Sequence, residues 1–102
     1  MSTNTNKLKQ NTMKISNMTS SNGNKIANQF IVNDSEFTLF QSYSSVIVKT
    51  TFEEGKRIVY LDSYYWNYSK TTAKYRNLFL GETTKETEKK IKEGIYKLTD
   101  LN

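Results

Sequence analysis

Hydrophobic and polar positions change their period part-way along the chain, and the change separates a strand-rich front from a helical back. Residues 13–18 alternate poorly and end at Ser20-Ser21-Asn22-Gly23-Asn24, a cluster of turn-forming residues. Residues 26–32 are rich in β-formers and close at Asn33-Asp34-Ser35-Glu36. Residues 37–43 alternate apolar and polar except at Phe40, so the odd positions are expected to line one face. Residues 45–52 are β-branched and lead through Glu53-Glu54-Gly55-Lys56 into residues 57–61, the pattern of an antiparallel hairpin. The front half therefore predicts an antiparallel meander of four to five strands, uninterrupted by proline.

Beyond residue 68 the spacing becomes helical. Ser69 is a candidate N-cap for a helix over 70–80, with Gly81 as the residue that ends it. Tyr75, Leu78 and Phe79 fall at i, i+3 and i+4 and are expected to face the sheet. Thr83-x-x-Glu86 has the form of a capping box, opening a second helix over 84–93 that stops at Gly94. Its exposed side is expected to be laced by the i, i+4 pairs Glu86–Lys90, Glu88–Lys92 and Lys89–Glu93. Ile95, Tyr96, Leu98 and Leu101 supply apolar anchors for the tail. The expected fold class is α+β, a small antiparallel sheet of four to five strands followed by two short helices.

A chain of 102 residues has room for one domain. Residues 1–12 hold a single apolar side chain besides the initiator, Leu8, and read as a disordered basic tail ahead of a domain over 13–102. The net charge of +5 is unevenly placed. Residues 1–33 carry Lys7, Lys9, Lys14 and Lys25 with no acid, and residues 64–81 carry Lys70, Lys74 and Arg76, again with no acid. Such a bias favours a polyanionic partner or an acidic protein surface, although a chain this rich in Lys and Asn can be basic from composition alone.

Cysteine and histidine are both absent, which removes disulfides, thiolate and imidazole metal sites, and the usual nucleophile–base pairs. Glu36, Glu53, Glu54 and Asp62 have no spacing that predicts a shared acid/base pocket, and the four glycines form no phosphate-binding loop. The sequence points to no cofactor and to binding, not catalysis. With no membrane-length apolar run and no signal-peptide pattern, a cytoplasmic location is expected.

The densest cluster of candidate chemistry is Tyr64-Tyr65-Trp66-Asn67-Tyr68, followed by Tyr75 and Phe79. Seven of the thirteen aromatic residues fall between positions 60 and 79, interleaved with Lys70, Lys74 and Arg76. Rings that stack on bases beside cations that hold phosphates suit a single-stranded nucleic-acid site. The same residue types make protein-binding hot spots. Trp66 and Tyr68 are expected in the core, with the Tyr64/Tyr65 pair as the exposed candidates. On the first helix Lys70, Lys74 and Asn77 share a face, while Arg76 points elsewhere.

The run from Tyr64 to Glu82 contains a W-x-Y-S-x-T-T-x-K-Y-x-x-x-F-L-G-E-like core. Together with the ending Glu86-Thr87-Glu88-Lys89-Lys90-Ile91 and Gly94-Ile95-Tyr96-Lys97-Leu98, it resembles a family of small proteins from phages, plasmids and integrative elements of Gram-positive bacteria, over roughly residues 26–102. The resemblance implies a mobile-element context, in which an inhibitor of host defence is expected, foremost an anti-CRISPR acting on a type II-A Cas9 or its guide RNA. A chain at +5 is no acidic DNA mimic, so it would bind guide RNA, interfere with guide loading or grip an acidic patch on Cas9. Tyr64, Tyr65, Lys70, Lys74 and Arg76 would be the contact set. A sequence-tolerant nucleic-acid-binding accessory protein is the alternative, and a self-assembling protein with an exposed sheet edge is a third.

Overall fold

The computed structural model describes residues 13–102, so the tail expected over 1–12, with Lys7 and Lys9, lies outside the described residues. Five strands run as an antiparallel meander: β1 (Lys14–Thr19), β2 (Lys25–Asn33), β3 (Phe37–Ser42), β4 (Ser45–Glu53) and β5 (Lys56–Asp62). Two helices follow, α1 (Lys70–Leu80) and α2 (Thr84–Lys92). A sixth strand, β6 (Tyr96–Thr99), then lies parallel to β5. The sheet is thus six-stranded and mixed, where four to five antiparallel strands were expected. A parallel neighbour needs a crossover of a dozen or more residues. The two helices form that crossover, and a four-residue strand placed after it carries too little periodicity to be read from sequence.

The registers sort side chains onto two faces. Ser16, Ile31, Phe40, Val48, Leu61 and Leu98 form one row across all six strands on the side that the helices cover. Phe40, Val48 and Leu61 of that row are fully buried, with Ile47, Val59 and Tyr96 completing the core. Ile47 is the extra residue of a bulge between β3 and β4, which lets it and its neighbour Val48 both reach the interior. On the far side the matching row is Ile15, Val32, Leu39, Lys49, Tyr60 and Lys97. In β3 the fully buried residues are therefore Phe40 and Ser42, and the odd positions Phe37 and Leu39 are only half-buried on the other face. Phe40, the exception to the alternation, marks the core face.

Both helix boundaries follow local signals. The Ser69 side chain accepts from the Thr72 N–H at 3.1 Å, and Gly81 ends α1 with a left-handed φ of 71°. The Thr83/Glu86 capping box closes reciprocally, at 3.2 Å from the Glu86 N–H and 2.8 Å from the Thr83 N–H. None of the three ion pairs expected along α2 closes, and the Glu86 carboxylate is taken up by the cap. Lys90 turns instead to Glu82, Nζ to Oε1 2.7 Å. The Glu82 side chain also accepts from the Tyr96 hydroxyl at 2.8 Å and the Thr87 hydroxyl at 2.6 Å, tying the α1–α2 junction to α2 and β6.

α1 packs over β3 and β4, and α2 against β6. A helix is about 10 Å wide and strands lie about 4.8 Å apart, so two short helices cannot cover six strands. The helix side of the β1–β2 hairpin end is the part left open.

Candidate functional site

The tyrosine cluster is presented by a turn organised around Asp62. Its carboxylate is buried and accepts from the main-chain N–H groups of Tyr64 (3.1 Å), Tyr65 (2.8 Å) and Leu101 (2.8 Å) and from the Asn102 amide (3.0 Å). Burial pushes this carboxyl up, but those hydrogen bonds outweigh it and hold Asp62 below its ordinary value. The turn leaves Tyr64 75% and Tyr68 57% exposed. Tyr65 sits between them half-buried, edge-to-face with both, at centroid distances of 4.7 and 5.3 Å. Trp66 is partly buried against the core, whereas Tyr68, expected there too, projects from the surface.

On α1, Lys70 and Lys74 are exposed one turn apart, and Leu78 follows at the next turn with 61% of its surface open. Leu78 was expected to face the sheet. The positions that do so are Thr72 and Arg76, both fully buried, together with Tyr75, Phe79 and Leu80, which are partly buried against the core, the Phe79 ring stacking on Phe40 at 5.8 Å. Tyr75 and Phe79 thus face inward as expected, but the two fully buried positions of α1 are polar, and a hydrophobic count put Leu78 in their place.

Arg76 leaves the expected contact set for the same reason. It is 0% exposed and bonds to the Trp66 carbonyl, Asn67, Asn77 and Thr84, with its guanidinium over the Trp66 ring at 5.1 Å. Burial lowers its pKa, and the charges of Glu82 and Glu88 oppose that. A side chain so enclosed positions the Trp66–Asn67 segment and does not reach a partner.

One residue joins the site that the sequence did not single out. Ser42 Oγ meets Thr72 Oγ1 at 3.2 Å, which sets the β3–β4 turn beside the first turn of α1. Tyr43, at the tip of that turn, is 51% exposed and holds a left-handed φ of 55°, with its N–H on the Asn28 carbonyl at 2.7 Å. Only an exposed tyrosine within a two-residue turn could have signalled it.

The open side of the β1–β2 hairpin end forms a cleft of about 500 Å³ with α1, lined by Thr19, Ser20, Ser21, Ile26, Lys74, Tyr75 and Leu78. Two segments that contain no acidic residue, 13–33 and 64–81, meet there. The acids that flank the second segment are Asp62 and Glu82, both turned inward and hydrogen-bonded. Tyr64, Tyr65, Lys70 and Lys74 thus belong to a segment that carries no carboxylate of its own. Among the described residues no group of three or more Asp or Glu is placed to hold a metal ion, and no helix is long and apolar enough to cross a membrane.

A family model described as a family of unknown function (DUF8033) matches residues 13–94. No curated protein and no solved structure matches the chain.

Proposed function

We infer that this chain, which belongs to the DUF8033 family of unknown function, acts without catalysis by binding single-stranded nucleic acid along α1 and the tyrosine turn that precedes it. One observation carries the reading: the exposed Tyr64 and Tyr68 are followed on α1 by the exposed Lys70 and Lys74, in a segment, 64–81, that holds no acidic residue. Tyr64 and Tyr68 offer rings for bases, and Lys70 and Lys74 neutralise phosphates about one helical turn apart. The buried Asp62 and Arg76 keep that surface in place.

Within this reading the guide RNA of a type II-A Cas9 is the occupant that the resemblance to mobile-element proteins favours, and blocking of guide loading is the mechanism. The support for that narrower identity is the resemblance and the positive charge. The experiment is co-purification of the tagged protein from cells carrying an active type II-A system, with and without nuclease. Recovery of guide RNA or Cas9 that disappears on nuclease treatment supports the inhibitor. Recovery of bulk nucleic acid that fades with salt supports an accessory nucleic-acid-binding protein instead. Nuclease-resistant capture of Cas9 would overturn the nucleic-acid reading and transfer the tyrosine surface to a protein interface.

A further inference from the structure

We propose that the cleft between α1 and the β1–β2 hairpin end is a seat for one unstacked nucleotide, at the end of the tyrosine–lysine surface; this rests on the nucleic-acid reading of that surface. The cleft's volume of about 500 Å³ lies in the range of about 300–1,000 Å³ in which proteins hold small ligands.

Its lining divides by chemistry. Ile26, Tyr75 and Leu78 form apolar walls, and Leu78 is too open to be serving the core. Thr19, Ser20 and Ser21, each a hydroxyl-bearing residue, line the hairpin side. Ser20 Oγ already accepts from the Asn24 N–H at 3.2 Å, which leaves its O–H to donate outward. The Lys74 ammonium lies over the Tyr75 ring at 5.3 Å from its centroid and supplies the only formal charge in the lining. An apolar floor with hydroxyls on one side and a single cation on the other fits a base with its sugar and phosphate. A cleft of one sign of charge also concentrates anions.

Lys74 belongs both to the α1 surface and to the cleft, so a strand tracking Lys70 and Lys74 delivers its next nucleotide to this seat. A free mononucleotide has the same chemistry, and the test separates the two sources. Amide chemical shifts of the protein are followed during titration with an eight-nucleotide oligouridylate and, separately, with uridine monophosphate. Shifts at Thr19, Ser20, Ser21, Ile26, Tyr75 and Leu78 are expected with the oligonucleotide, and weaker shifts of the same residues with the mononucleotide. Leu78→Glu, at a position whose side chain is mostly exposed, is expected to abolish the mononucleotide shifts and weaken the oligonucleotide about tenfold, with circular dichroism checking that the variant is folded.

Oligonucleotide binding that moves only the tyrosine turn and ignores Leu78→Glu overturns the seat and leaves the surface reading standing. Mononucleotide binding in the cleft without oligonucleotide binding supports the seat and overturns the surface. Silence with both ligands overturns both. Cleft shifts that follow protein concentration with no ligand present overturn the seat in favour of a second copy of the chain.

Discussion

The Arg76 guanidinium lies over the Trp66 ring at 5.1 Å and donates through Nη1 to the Trp66 main-chain carbonyl at 2.6 Å. One fully buried cation thus fixes the loop that carries the tyrosines to the helix that carries the lysines. It does so with neutral acceptors: no carboxylate forms an ion pair with it, and its Nε has no hydrogen-bond partner. Planarity and fork geometry, more than charge, make arginine suited to this position.

Removing that fork strands several buried acceptors at once. Arg76→Ala is expected to cost about 2–4 kcal/mol of stability. Arg76→Lys, which retains charge but neither stacks flat nor forks, should stay closer to the alanine variant than to the wild type. Urea denaturation followed by circular dichroism measures both. An Arg76→Ala midpoint equal to that of the wild type would contradict the role assigned to this side chain.

Acid should unfold the protein through Asp62 and Glu82. For Glu82, burial pushes the pKa up, but hydrogen bonds from Lys90, Thr87 and Tyr96 and the Lys90 charge bring it below its ordinary value. Both carboxyls are thus depressed in the fold relative to ordinary values of 3.8 and 4.5. A depressed carboxyl stabilises fully above its unfolded pKa, and the contribution is lost as pH falls through the folded value. The melting temperature is therefore expected to be level from neutral pH to about 5 and to fall below about 4. In Asp62→Asn that acid limb should shrink while stability at pH 7 drops. An acid limb unchanged in Asp62→Asn would remove Asp62 from this account.

Gln29 is 1% exposed on β2, opposite Ser42, and its side-chain carbonyl makes no hydrogen bond. A buried acceptor left unsatisfied costs about 1–3 kcal/mol. Methionine has nearly the same length and no polar atoms to satisfy, so Gln29→Met should raise stability by about 1 kcal/mol. Thermal denaturation checks it, and a lowered melting temperature would mean that the glutamine amide is needed where it sits.

For binding, Tyr64→Ala is expected to weaken single-stranded RNA by about 1–3 kcal/mol, the contribution of one stacked base. The pair of substitutions Lys70→Gln and Lys74→Gln should reduce the slope of log K against log salt by about 1.4, since each phosphate contact to a single strand contributes about 0.7. Fluorescence anisotropy at several salt concentrations separates the two effects. A tyrosine variant that alters the salt slope, or a lysine pair that leaves it unchanged, would contradict the division between ring and cation.

The capping box at Thr83 and Glu86, the Ser69 cap, the Gly81 stop and the turns at 20–24 and 53–56 were legible because each is a signal within about four residues, decided by local hydrogen bonding and allowed φ. The α+β class and an antiparallel meander of four to five strands were legible from the period of the apolar positions. Tertiary structure alone decided which side each helix residue faces. Leu78 lies open and Arg76 is buried because the contact with β3 and β4 is made partly of polar groups, a choice that hydrophobic periodicity does not encode. It also decided that Tyr96–Thr99 pairs parallel to β5 across more than thirty residues, and that Lys90 answers Glu82 and not Glu86. The cleft itself is a product of coverage: two helices lie on a six-stranded sheet, and the space that they leave open is set by their packing and by no single segment of the chain.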